Sequence, residues 1–206
     1  MDVEEVTVEA WIKVDKSITD QFYNYIFCRN YGDFGYGLAL HGRPVKVFSQ
    51  APSAKVPLEK WTHVAVVCSR KAGKMYVDGD LAAAWERNGP LKPLSHPMMI
   101  GNSDMQGEPG HTPTPFRGCI DELRVWSIPR TQSAIRKAMN RYLRGNEHGL
   151  LGYFPFNEGE GQIIHDYSGH LISGSLGGGF TPDGDDPSWS AAPSLAGRPP
   201  KIRSHR

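Results

Sequence analysis

The sequence has few cysteines and no long hydrophobic run. Its 206 residues include 3 cysteines, at Cys28, Cys68 and Cys119, and none of them belongs to a Cys-x-x-Cys pair. Isolated cysteines argue against a sulfur-ligated metal site, and their odd number leaves at least one outside any intrachain disulfide. No apolar run reaches the roughly 18 residues from which a membrane-spanning helix is inferred.

The chain also lacks a strong charge of either sign. Lys and Arg number 23, Asp and Glu number 22, and the formal net charge is +1. This balance argues against a nucleic-acid-binding protein with a large basic surface, because such binding neutralises many phosphates at once. The acidic start of the chain, with Asp2, Glu4 and Glu5, does not resemble a signal peptide. We expect a cytoplasmic protein if the chain is complete, and an extracellular one if it is a domain of a secreted protein.

Glycine and proline, in contrast, are abundant. Gly (23) and Pro (16) make up about a fifth of the chain, against roughly 12% in ordinary proteins. Residues 6–14 alternate between apolar and polar side chains, which is typical of a half-buried strand. Further segments with strand character lie at residues 25–29, 36–40, 45–48, 61–68, 74–77, 81–85 and 150–156. Short strands separated by turn signals predict an all-β fold, a two-sheet antiparallel sandwich.

Two local irregularities are predicted within these strands. The Asp-Gly pair at residues 78–79 lies between two apolar runs, and it predicts a hairpin turn because Gly adopts a positive φ without steric cost. Ile120 and Leu123 are out of phase with simple alternation. A β-bulge at residues 121–122 would bring both apolar side chains into the core.

One segment, residues 131–143, has helical periodicity. Its apolar residues recur on one face at Ile135, Ala138, Met139 and Tyr142. We predict one short helix that covers one edge of the sandwich, and we expect its basic residues to form a solvated face. These residues are Arg136, Lys137, Arg141 and Arg144.

The order of several motifs is more specific than any one of them. Along the chain they are residues 6–12 (VTVEAWI), 61–65 (WTHVA), 75–79 (MYVDG), 100–102 (IGN), 116–126 (FRGCIDELRVW), 149–159 (GLLGYFPFNEG) and 166–169 (DYSG). This succession resembles the laminin G-like, pentraxin-like branch of the concanavalin A-like lectin/glucanase superfamily, over roughly residues 4 to 180. The resemblance implies a jelly-roll sandwich.

The composition changes near the C-terminus, where large apolar residues become rare. We predict a laminin G-like jelly-roll domain over residues 1–180 and a Gly/Pro-rich extension with a flexible basic tail over residues 181–206. Trp189 is placed to pin part of this extension to the body of the domain.

The loop at residues 102–115 carries the first candidate ligand-binding residues. It offers Asn102, Asp104, Gln106 and Glu108, whose side-chain oxygens are of the kind that Ca²⁺ collects. The resemblance implies a calcium site, because the corresponding pentraxin loop holds calcium through acidic and amide residues, and Asn102 and Asp104 match its start. A plain hydrophilic loop is the alternative.

Two more places supply candidate residues. Asp33, Phe34 and Tyr36 lie in a turn where an aromatic ring can stack on sugar C–H groups while polar groups bind the hydroxyls. Asp166 is a candidate metal ligand, because a calcium ion at its turn would hold an edge of the sandwich in place. The alternative at Asp166 is an Asx turn, in which the carboxylate binds its own backbone and needs no metal.

No catalytic residue is predicted. Retaining glycoside hydrolases need two carboxylates about 5 Å apart on one face, whereas the adjacent Asp121 and Glu122 would point to opposite faces of a regular strand. The 8 histidines are scattered without motif context, and we expect His63 at a strand edge with a hydrogen-bond partner.

The sequence therefore predicts a non-enzymatic recognition module that binds glycan or protein through edge loops, with Ca²⁺ as the candidate cofactor. The alternative is a structural or scaffold domain that makes protein contacts within a larger multidomain protein or complex. A glycoside hydrolase is the third hypothesis. No nucleic acid is expected among the partners.

Overall fold

The computed structural model of the chain describes residues 3–18, 23–31, 34–41, 44–46, 54–92, 97–102, 114–177, 179, 181–184 and 186–190. In chain order its elements are β1 (Val6–Val14), β2 (Tyr23–Tyr31), β3 (Phe34–His41), β4 (Pro44–Lys46), β5 (Ala54–Lys55), β6 (Trp61–Cys68), β7 (Ala72–Val77), β8 (Asp80–Glu86), β9 (Met99–Ile100), β10 (Thr114–Pro115), β11 (Gly118–Trp126), α1 (Gln132–Ala138), β12 (Leu150–Phe154), β13 (Ile163–Ile164) and β14 (Gly174–Ser175).

Two sheets form the sandwich. Sheet A has the order β12-β11-β1-β6-β7-β8, and all of its strand pairs are antiparallel. Sheet B has the order β10-β2-β3-β4-β5, with β9 also paired to β2, and only its β10–β2 pair is parallel. Strands β13 and β14 pair with each other. Apolar residues of both sheets share one core, so the predicted jelly-roll sandwich is confirmed.

Strand β1 shows how the sequence pattern builds this core. Its apolar side chains are at most 1% exposed and belong to the shared core: Val6, Val8, Ala10, Ile12 and Val14. The alternate side chains point to the other side of sheet A, here called its outer face. There Thr7 Oγ1 donates to Ile128 O at 2.8 Å, and Trp11 Nε1 donates to Met139 O at 2.8 Å. Segment 127–143 therefore covers the outer face.

The hairpin at residues 78–79 is confirmed. Asp78 and Gly79 join β7 to β8 with φ values of 49° and 79°, the positive values that a tight hairpin turn requires. The turn also binds β6, because Asp78 Oδ1 accepts the N–H of His63 at 2.9 Å. The edge position expected for His63 was wrong, because β6 lies inside sheet A and His63 is 1% exposed.

The predicted bulge is also confirmed. The pairing register of β1 and β11 shifts at this point, and Glu122 has a φ of 53°. As a result Leu123 is buried in the core and Ile120 packs against it. The bulge overturns another expectation: Asp121 pairs with Trp11 on the outer face, and the Glu122 carboxylate binds Arg124 there. The two adjacent carboxyl groups therefore do not point to opposite faces.

Helix α1 is shorter than predicted, and the reason lies in sheet A. The helix ends at Ala138, while the expectation was residue 143. Side chains of sheet A bind the carbonyl groups at and beyond this end: Arg124 donates to Ala138 O (3.0 Å) and Arg141 O (2.6 Å), and Trp11 donates to Met139 O (2.8 Å). Because these carbonyl groups already have donors, the chain leaves the helical path without losing hydrogen bonds.

Helix α1 lies across a sheet face rather than along an edge. Its Ile135 is fully buried against Ala65 and Val67 of β6 and Tyr76 of β7. Both strands are interior strands of sheet A, so the predicted edge position was wrong. The predicted solvated face is confirmed, since its basic residues are exposed: Arg136, Lys137, Arg141 and Arg144. Within the described ranges, the helical structure is too short to cross a lipid bilayer.

Trp189 pins the C-terminal segment as expected. Its ring packs against the shared core, and its Nε1 donates to Gly161 O at 2.8 Å. The division into residues 1–180 and 181–206 stays a prediction.

None of the three cysteines, all within the described ranges, forms a disulfide.

Candidate functional site

The two ends of the predicted ligand loop are fixed side by side on β2. The N–H of Gly101 donates to Ile26 O at 3.0 Å, and the N–H of Phe116 donates to Gly101 O at 2.7 Å. The loop thus leaves and rejoins the sandwich at one place. Asn102 is half-buried at this base. Asp104, Gln106 and Glu108 lie outside the described residues, so their roles stay predictions.

The aromatic turn is anchored at the other end of β2. Asp33 lies outside the described residues, and for Phe34 and Tyr36 the backbone alone is described, in β3. The turn follows Tyr31, five residues along β2 from Ile26 at the base of the loop, which corresponds to roughly 17 Å at about 3.3 Å per residue. The described backbone therefore does not bring the base of the loop and this turn together.

Asp166 has four protein donors. Its Oδ1 accepts the N–H groups of Tyr153 (3.0 Å) and Ser168 (2.8 Å), and its Oδ2 accepts the Ser168 hydroxyl (2.8 Å) and the N–H of Ile172 (3.1 Å). Burial by itself would raise the pKa of this carboxyl group. The hydrogen bonds from Tyr153, Ser168 and Ile172 outweigh burial and hold the pKa below its ordinary value.

This geometry matches the Asx-turn alternative. An ionised carboxylate has about four acceptor sites, and the backbone and Ser168 use all four. In the part of the chain that the structure describes, no three His, Cys, Asp or Glu side chains are grouped as a metal site would need. A metal at Asp166 stays a prediction, and calcium there would have to displace these donors.

The densest group of charged side chains lies elsewhere, on the outer face of sheet A beneath segment 127–143. We call it the ionic cluster; its members are Glu9, His63, Glu122, Arg124, Arg130 and Tyr153. Glu9, His63, Glu122 and Arg124 are each at most 1% exposed. They come from three neighbouring strands of sheet A, which brings them to one face.

Each carboxylate of the ionic cluster is paired. Arg124 Nη2 donates to Glu122 Oε2 at 2.7 Å, and the Tyr153 hydroxyl donates to the same oxygen at 2.9 Å. Glu9 Oε1 accepts from Arg130 at 2.6 Å and from the Trp126 indole at 3.1 Å, and its other oxygen lies 3.8 Å from His63 Nε2. The Arg130 guanidinium also stacks 3.9 Å above the Trp126 ring.

The electrostatics follow from this pairing. Burial alone would lower the pKa of Arg124, but the Glu9 and Glu122 carboxylates outweigh it and raise that pKa. Burial, together with the Glu122 carboxylate, raises the pKa of Tyr153. Arg124 therefore stays charged and Tyr153 stays protonated, and neither group is suited to transfer a proton near neutral pH.

The ionic cluster is suited to holding the fold. Arg124 links two carboxylates of the sheet to two carbonyl groups of segment 127–143, so it fastens the cover to the outer face. Glu9 and Glu122 are sealed from solvent, which leaves a substrate no direct path to them. This cluster was not predicted from the sequence. The feature that indicates it is the alternation of β1, which places Glu9 between Thr7 and Trp11 on one face of the strand.

Comparisons with known proteins agree with the fold. Residues 1–136 match a laminin G family model described as the concanavalin A-like lectin/glucanases superfamily. A proposed carbohydrate-binding protein from Bacteroides ovatus is 23% identical with a TM-score of 0.70, over 84% of this chain and 52% of that protein. This chain thus spans about half of that protein's length. No curated protein sequence matches the chain.

A second solved structure is a domain of an enzyme. Domain 4 of an extracellular arabinanase from Geobacillus stearothermophilus, in complex with arabinotriose, is 19% identical with a TM-score of 0.50, over 66% of this chain and 67% of that domain. At these identities the likeness of both structures shows the fold alone.

Proposed function

Because this chain belongs to the laminin G family of the concanavalin A-like lectin/glucanases superfamily, we propose that it is a non-enzymatic recognition module that binds a glycan. The names of two similar solved structures, a proposed carbohydrate-binding protein and a domain in complex with arabinotriose, support this class of ligand. Protein ligands are the alternative within the same proposal, as for a scaffold domain of a larger assembly.

The base of the 102–115 loop is the observation that carries the proposal. Gly101 and Phe116 are hydrogen-bonded to each other beside β2, so both ends of the 102–115 loop are fixed at one place on sheet B. Loops placed on a rigid scaffold in this way are where binding residues concentrate. Asn102, Asp104, Gln106 and Glu108 supply the hydrogen-bonding groups of this loop, and Asn102 and Asp104 are the proposed calcium ligands.

The ionic cluster does not supply the carboxylate pair of a glycoside hydrolase. A retaining hydrolase needs an exposed pair of carboxylates, whereas Glu9 and Glu122 are buried and bound to arginines. The Asp33 and Tyr36 turn is proposed as an accessory contact for a long glycan, since its anchor lies at the far end of β2.

A glycan array probed with and without calcium tests the proposal. The wild type is expected to bind at least one glycan in calcium, and a chelator or Asp104→Ala is expected to lower that signal about tenfold or more. Asp80→Ala is the matched control, because Asp80 is an exposed aspartate on sheet A and its loss is expected to leave binding unchanged.

Three outcomes separate the proposal from its alternatives. Binding that survives the chelator but is lost in Asp104→Ala would remove calcium and keep the loop. An array without signal in either buffer would contradict the glycan proposal. In that case, a protein partner that co-purifies with the wild type would favour the scaffold hypothesis.

A further inference from the structure

Exposed apolar side chains are concentrated in one segment of the chain. Among the described residues, the exposed large apolar side chains are Leu81 (52%), Ile163 (45%), Tyr167 (49%) and Leu171 (85%). Three of the four lie within residues 163–171. Single exposed apolar residues are ordinary on protein surfaces, so three of them within nine residues of one segment make that segment a candidate contact surface.

The segment holds Tyr167 in a fixed position. The N–H of Tyr167 donates to Tyr153 O at 2.8 Å, and the neighbouring Asp166 carboxylate has the four donors described above. On the other side, a Cβ added at Gly145 would lie 2.0 Å from the Tyr167 carbonyl oxygen, so the two backbones are in close contact. The Tyr167 ring meets the Tyr153 ring edge-on, with centroids 6.4 Å apart. A ligand would therefore order little of this surface on binding.

A carboxylate is tied to the same segment. Glu158 Oε1 accepts the N–H of His165 at 2.9 Å, which ties Glu158 to the segment. Burial raises the pKa of Tyr167, and the Glu158 carboxylate adds to the rise, so the two side chains are within electrostatic reach. Glu158 Oε2 is shielded from solvent, so a ligand's donor would bind Oε1, which has a second acceptor site beside its bond to His165.

The surroundings of the segment are open. A Cβ added at Gly159, Gly161 or Gly174 would meet no heavy atom within 4 Å, so uncovered backbone borders the apolar side chains. Trp189 holds one of these glycines in place through its hydrogen bond to Gly161 O. Glycine allows a ligand to approach the backbone closely.

We propose that the surface formed by Glu158, Ile163, Tyr167 and Leu171 is a carbohydrate-binding site for neutral sugars, separate from the 102–115 loop. A sugar ring offers an apolar C–H face for the Tyr167 ring and hydroxyl donors for Glu158 Oε1. The negative charge of Glu158 disfavours sulfated and other acidic sugars. This segment is attached to β12, the edge strand of sheet A, whereas the loop is anchored on sheet B. The inference rests on the proposed function in taking a glycan as the ligand.

Affinity electrophoresis tests this site, with arabinan and mannan in the gels as neutral probes and heparin as the acidic one. We expect Tyr167→Ala to weaken retardation of the protein by the neutral gels about tenfold, because it removes the central ring of the surface. Tyr167→Phe keeps the ring and Leu81→Ala removes an exposed apolar side chain elsewhere, so both are expected to bind within about twofold of the wild type. Thermal unfolding confirms that each variant is folded.

The outcomes distinguish this site from the proposed function. If a neutral gel retards the wild type and Tyr167→Ala to the same extent, the site is wrong while glycan binding stands. Retardation by heparin alone would also overturn it. If no glycan in the gels or on the array binds the wild type, the proposed function fails and takes this inference with it.

Discussion

Two regions of the molecule use carboxylates in opposite ways. In the ionic cluster, Glu9 and Glu122 bind arginines and close the outer face of sheet A beneath α1. In the 163–171 segment, the Asp166 carboxylate binds three backbone N–H groups and the Ser168 hydroxyl, and so it orders the turn that carries the exposed Tyr167 and Leu171. The charges of the ionic cluster are thus sealed inside the fold, whereas three of the four exposed large apolar side chains among the described residues lie in the 163–171 segment. Charge density alone does not locate a functional site; solvent access must be known as well.

The largest expected effect comes from breaking the ionic cluster. Arg124→Met leaves two buried carboxylates without their shared cation and two carbonyl groups of segment 127–143 without a donor. Removing one partner of a buried ion pair typically costs about 3–5 kcal/mol of the free energy of unfolding. Urea unfolding of wild type and variant measures the difference.

Arg136→Met is the matched control. Arg136 pairs with Asp80 on the surface, where both side chains are more than half exposed, and exposed pairs contribute at most about 1 kcal/mol. Equal losses of stability in the two variants would contradict the view that the ionic cluster fastens the cover to the sheet.

The second effect is smaller and concerns the 163–171 segment. Asp166→Ala removes the acceptor of four hydrogen bonds, and we expect it to lower the free energy of unfolding by about 2–3 kcal/mol. The segment can open locally, so protease cleavage near residues 163–171 is expected to increase more than global unfolding. Unchanged cleavage in Asp166→Ala would show that other contacts order the segment.

The same carboxylate has a pH signature. Because its pKa lies below the ordinary value of 3.8 in the folded protein, ionised Asp166 stabilises the fold above about pH 3.8, and this contribution disappears as the pH falls through the folded pKa. The stability advantage of the wild type over Asp166→Asn is therefore expected to be constant at neutral pH and to shrink below pH 4. Chemical denaturation at several pH values measures it, and an advantage that grows on acidification would contradict the assignment.

The smallest effect concerns the cysteines. Burial raises the pKa of Cys68 to about 11, and the residue is 5% exposed, so its thiol stays protonated and shielded at pH 8. Cys119 is half-buried and is expected to react first with a thiol reagent. Mass spectrometry after brief labelling identifies the modified residue, and rapid labelling of Cys68 in the native protein would show that sheet A opens readily.

Local pattern was sufficient to predict much of the sandwich. The alternation of β1, the Asp78-Gly79 turn and the bulge after Ile120 each depend on residues close in sequence, and all were confirmed. The end of α1 was not predictable in this way, because it depends on side chains of sheet A that bind carbonyl groups beyond Ala138.

The ionic cluster was missed for the same reason. Trp126 and Glu9 lie 117 residues apart in sequence, and only the packing of segment 127–143 turns the polar face of β1 into a buried one. The register of β2 likewise separates the base of the 102–115 loop from the Tyr31 end of the strand. These facts belong to the tertiary structure: the alternation of β1 places Glu9 on the outer face, but it does not show that the face is covered.

The most direct test of the account compares wild type with Glu122→Gln for glycan binding and for release of reducing ends from arabinan. Glu122 holds the fold by binding Arg124 and Tyr153, so we expect no release by the wild type and lower stability in Glu122→Gln, with glycan binding unchanged in the folded variant. Release by the wild type that Glu122→Gln abolishes, while binding persists, would contradict this role of Glu122 and identify the ionic cluster as a catalytic site.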